Sequence, residues 1–66
     1  MNTPPIDQDW CRIEAGQRVV LIEHGRETMG VVDAITDDAR VVFVFSEFDR
    51  QRRAIDYREG VILDPT

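Results

Sequence analysis

The feature that most constrains this chain is an uninterrupted apolar run, Val41-Val42-Phe43-Val44-Phe45, held between Arg40 and Ser46. A run this short and this rich in β-branched and aromatic residues favours a strand over a helix. Successive side chains of a strand point to opposite faces, so this strand is apolar on both. Any fold that contains it must cover two surfaces, one with its own core and the other with something else.

Only 66 residues are available for the task. A chain of that length buries roughly 60% of its unfolded surface, and its single core supplies about 3–5 kcal/mol. Cys11 and His24 are the only cysteine and histidine, too few for an internal disulfide or a recognised zinc spacing. No metal or cofactor is therefore expected, and oligomerisation is the staple that remains.

The rest of the chain reads as short strands divided by turns. Arg18 to Glu23 is β-branched-rich and leads into a turn at His24-Gly25-Arg26-Glu27, where Gly25 can take a positive φ. A second strand runs from Met29 to Thr36. Its inward residues, Val32 and Ile35, stand three apart, which requires a bulge or sharp bend between them, and Gly30 next door makes close approach easier. Asp37-Asp38-Ala39 turns the chain into a third strand, Arg40 to Ser46. Ser46 and Asp49 have capping-box spacing, so a short helix is an alternative there. The poor apolar stripe favours a charged turn over 49–51 and a strand from Arg52 to Asp56. Tyr57-Arg58-Glu59-Gly60 suits one 3₁₀ turn, and Val61-Ile62-Leu63 a closing strand. Residues 1–9 hold two prolines, two acids and Ile6, and are expected to form a mobile arm ahead of a single domain over 10–66. The start of the chain has no basic or apolar leader, and no apolar run is long enough to span a bilayer. A cytoplasmic location without membrane association is the expectation.

Gly16-Gln17-Arg18-Val19, then Gly30-Val31-Val32 with Ile35, then Val41/Phe43/Phe45, then Tyr57 to Leu63 resemble the SH3-like small barrels of the KOW, Tudor-like and photosystem I stromal-subunit type. The resemblance implies an all-β, five-stranded barrel with one 3₁₀ turn before the last strand. It also implies an interaction module more than a catalyst. Gly16 to Val19 also resembles the G-x-R-V opening of the small-barrel dihydrofolate reductases, whose pore is lined by a Val-Gln-Ile-Tyr strand from each of four subunits. Here that stretch is Arg53-Ala54-Ile55-Asp56-Tyr57, with altered spacing and no glutamine, and the chain has no lysine for cofactor phosphates.

On the barrel reading Val19, Leu21, Val32, Ile35, Val41, Phe43 and Phe45 fill the interior. Val20, Ile22, Val42 and Val44 then project outward as a contiguous apolar patch, which points to a homo-oligomer or a protein partner. The competing cover is the N-terminal arm, with Trp10 and Ile13 folded over that face. Arg50, Arg52 and Arg53 form the only basic cluster, and with Phe48 and Tyr57 they could contact a ligand or nucleic acid. The alternative for this cluster is a solvated hairpin tip paired with Glu47, Asp49 and Asp56. Eight arginines against thirteen acids give a net charge of −5, which repels phosphate backbones and weighs against nucleic acid. His24 beside Glu23 and Glu27, and Cys11 beside Arg12, are the only hints of catalysis. His24 lies at a turn and no nucleophile accompanies it, while Cys11 between Trp10 and Ile13 reads as a small buried hydrophobe. The sequence therefore predicts a non-catalytic interaction module or small accessory subunit.

Overall fold

A computed structural model describes residues 10–66, and the arm expected over 1–9 lies outside them. The chain is all-β. Its strands are β1 (Arg18–Glu23), β2 (Arg26–Ile35), β3 (Val41–Ser46), β4 (Arg52–Asp56) and β5 (Ile62–Pro65), with 3₁₀ turns at Trp10–Arg12 and Tyr57–Glu59. They form one antiparallel sheet in the order β4-β3-β2-β1-β5. Consecutive strands pair as hairpins until β5 returns to β1, where Val19 faces Pro65 and Ile22 faces Ile62.

Local chemistry explains the boundaries. The β1–β2 turn is His24-Gly25, both at positive φ (51° and 76°), as a two-residue type I′ hairpin requires. Between β2 and β3, the Thr36 amide donates to the Val41 carbonyl at 3.0 Å. The Val41 amide returns a bond to Thr36 Oγ1 at 3.1 Å. Asp38 Oδ1 accepts from both the Thr36 hydroxyl (2.7 Å) and the Arg40 amide (3.1 Å), locking the loop. The segment after Ser46 is a turn and a strand. Asp56 then caps the second 3₁₀ turn by accepting from the Arg58 amide, while Glu59 accepts from the Asp56 amide, and Gly60 ends the turn in the left-handed region.

The sheet curls around one core of Trp10, Ile13, Val19, Leu21, Val32, Val42, Val44, Ile55, Val61 and Leu63. Residues of both edge strands share it. The bulge expected in β2 is present: pairing with β3 shifts between Val32 and Ala34, which turns Val32 inward and lets Ile35 pack against the same core. Gly30 lies inward on β2, where a Cβ would stand 2.6 Å from Val44 Cγ1 and 3.0 Å from Leu21 Cδ1.

The faces of β3 are the reverse of the expectation. Val42 and Val44 are fully buried, whereas Phe45 is 41% exposed and Val41 and Phe43 are half-buried on the outer side. The cause is register. Val44 lies opposite Val32 and Val42 opposite Ile35, and directly opposed residues of an antiparallel pair share a face. Size agrees with register, since an interior that needs a glycine to let Val44 and Leu21 meet has no room for two phenylalanines. Trp10 and Ile13 also depart from the alternative considered for them, being part of the core instead of a cover on the outer face. Cys11 is exposed, not a buried hydrophobe.

Candidate functional site

The outer face carries the other half of the apolar content. Ile62 faces Ile22, Val20 faces Met29, Val31 faces Phe45, and Phe43 lies between Ala34 and Ala54. Since i and i+2 neighbours on each strand share a face, these residues form one diagonal stripe across β5, β1, β2 and β3. All are half-buried or exposed. Of the four residues predicted for this surface, Val20 and Ile22 lie on it and Val42 and Val44 do not. Met29, Val31, Phe43, Phe45 and Ile62 take the larger share.

Two arginines strap this stripe. Arg18 on β1, opposite Val31, reaches over β2 to Glu47, which follows β3; its Nη2 lies 3.2 Å from Glu47 Oε2. Arg52 on β4 reaches over β3 to Asp33 at the β2 bulge, with Nε 2.7 Å from Asp33 Oδ2. On the way its guanidinium lies 4.5 Å from the centroid of the Phe43 ring. Each strap is an exposed ion pair worth about 0–1 kcal/mol, and the arginine stems cover apolar surface as much as they neutralise charge. The second face of the apolar strand is thus partly covered by the chain's own arginines.

A different arginine spans the curl of the sheet. Arg53 and Glu23 share the inward side with Ile55 and Leu21, each two residues away on the same strand, and meet across that curl. Arg53 Nη1 and Nη2 donate to Glu23 Oε1 and Oε2 at 2.9 and 3.0 Å. These hydrogen bonds hold the Glu23 carboxyl below its ordinary pKa against the opposing effect of desolvation, and they raise that of Arg53. The pair borders an open cleft of about 520 Å³ between the β1–β2 and β3–β4 turns, with Thr28, Ser46, Phe48 and Asp49 among its walls.

The predicted ligand cluster is dispersed by these pairings. Arg52 and Arg53 are each neutralised, by Asp33 and Glu23 and not by the Glu47, Asp49 and Asp56 considered from the sequence. They point to opposite sides of β4. Arg50 is exposed in the turn at φ 58°. Phe48, 84% exposed, belongs to the cleft. Tyr57 stands edge-on to Trp10, with ring centroids 4.9 Å apart. Ile55, a residue of the stretch resembling a reductase pore, is fully buried. Glu23 beside His24 is engaged by Arg53. Among the described residues no three His, Cys, Asp or Glu side chains are grouped to hold a metal ion, and no helix is long and apolar enough to cross a membrane. No family model matches the chain, and neither does any curated protein or solved structure.

Proposed function

We propose that this chain is a non-catalytic interaction module of the SH3-like barrel type that associates with a second copy of itself through the outer face of β1, β2 and β3. The observation that carries this reading is the contiguous stripe from Ile62 to Phe43, with Phe45 at its centre 41% exposed. The strand order, the bulged second strand and the single 3₁₀ turn before the last strand support the barrel type. A specific dimer buries roughly 800 Å² per partner, about one sixth of the 4794 Å² this chain exposes. An interface of that kind supplies the staple that a core of this size otherwise lacks. The net charge of −5 and the two-point neutralisation of Arg53 by Glu23 weigh against a nucleic-acid module, since phosphate contacts need unspent positive charge.

The test is solution mass by light scattering over a concentration series. The chain is expected to pass from monomer to dimer as concentration rises. Phe45→Glu, at a position open to solvent in the single chain, is expected to keep the circular dichroism of the parent and remain monomeric. A parent that stays monomeric at millimolar concentration would refute self-association.

A further inference from the structure

The two straps differ from the ion pair of Arg53 and Glu23 in a way that bears on docking. Arg53 and Glu23 use both terminal nitrogens and both oxygens on each other. Arg52 engages Asp33 through Nε and one carboxylate oxygen only. Arg18 engages Glu47 through Nη2 alone. The strap partners are also about half exposed, at 53% and 53% for Arg52 and Asp33 and 57% and 40% for Arg18 and Glu47. Each strap therefore keeps guanidinium donors in reserve, and the Asp33 strap a carboxylate oxygen as well, on the surface that the apolar stripe offers to a partner.

A partner cannot reach Phe43 without meeting Arg52, because its guanidinium lies over the Phe43 ring. Docking must desolvate that arginine or displace it, and a buried guanidinium stays favourable only while a carboxylate, its own Asp33 or an equivalent one, remains on it. A second copy brings an equivalent group. The face holds two arginines and two carboxylates in strap positions, and around a twofold axis every contact from one copy to its partner is repeated in reverse. From this self-complementarity we infer that the straps open on dimerisation and re-pair between chains, Arg52 of each copy on Asp33 of the other, with Arg18 and Glu47 as the second exchangeable set. Stacking on Phe43 already holds the Arg52 head in place, so little side-chain freedom is lost in the exchange.

This inference rests on the self-association reading, and charge reversal separates the two. Asp33→Arg and Arg52→Asp each put like charges at both ends of the strap, within one chain and across a homodimer. In an equimolar mixture of the two variants every arginine meets a carboxylate across the interface, while both internal straps stay broken. The expected result is that each variant alone dimerises about tenfold more weakly than the parent or worse, that the mixture recovers the parent's dimer mass, and that the double variant in one chain also recovers it. A parent dimer whose single variants associate as tightly as it does, or whose mixture gains nothing, overturns the exchange and leaves self-association standing. A parent that is monomeric throughout overturns both. Circular dichroism checks that each variant is folded. If reversal at the bulged Asp33 unfolds the chain, Arg18→Glu with Glu47→Arg repeats the comparison at the other strap.

Discussion

Gly30→Ala tests the packing argument most directly, because one added methyl meets the core at known distances. The new Cβ would lie 2.6 Å from Val44 Cγ1, 3.0 Å from Leu21 Cδ1 and 3.1 Å from the Phe45 carbonyl oxygen. The first distance is far inside van der Waals contact, and the carbonyl belongs to the β2–β3 ladder and cannot retreat. Overpacking of this kind costs about 1–3 kcal/mol. Because Gly30 does not have a positive φ, the alanine also gains about 0.4–1 kcal/mol by restricting the unfolded chain. The net expectation is a loss of about 1–2 kcal/mol, or a fall in Tm of roughly 5–15 °C for a domain this small. Urea denaturation of the parent, Gly30→Ala, Val44→Ala and the double variant completes a cycle. Since Val44→Ala removes the nearest methyl group, the double variant should be more stable than the sum of the single changes by at least about 0.5 kcal/mol. Additive effects, or a Gly30→Ala chain as stable as the parent, would refute the claim that β2 gives up its side chain so that Val44 and Leu21 can meet.

The inverted faces of β3 predict that Val42→Glu unfolds the chain, because it places an unpaired carboxylate where the parent side chain is fully buried and costs several kcal/mol. A variant with parent-like far-ultraviolet circular dichroism and melting temperature would refute that placement. Stability should also fall in acid. Glu23 is held below the usual range by Arg53, Asp38 by the Thr36 hydroxyl and the Arg40 amide, and Asp56 by the Arg58 side chain and amide. Each resists protonation more in the folded chain than in the unfolded one, so its contribution is complete above about pH 5 and is lost as pH falls through and below about 4. Urea midpoints that stay constant from pH 6 to pH 3 would refute this.

Much of the fold was legible because strand signals in this chain are local. Arg18 to Glu23 and Arg52 to Asp56 stand out by composition and have the expected bounds. The Val32 and Ile35 spacing required the bulge that β2 contains. The faces of β3 were lost to one residue of turn length. A three-residue turn over 37–39 sets Ile35 opposite Val41; the actual loop runs to Arg40 and sets it opposite Val42, and a slip of one exchanges the two sides of a strand. The deciding feature is Ala39 at φ 59°, a conformation that alanine does not advertise. Thr36 and Asp38 were the available signal, since their side chains bond the far end of the loop. The straps had no sequence signal. Their partners lie 29 and 19 residues apart and meet only once the register of three strands is known.

The burial of Trp10 has a spectroscopic consequence. It is the only tryptophan, it lies 2% exposed in the core, and Tyr57 stands 4.9 Å from it. Its emission therefore reports whether the Trp10–Arg12 turn is seated on the core, and excitation of Tyr57 should drain into it by energy transfer. Loss of that transfer ahead of the circular dichroism change during denaturation would reveal the chain detaching from its start while the sheet persists.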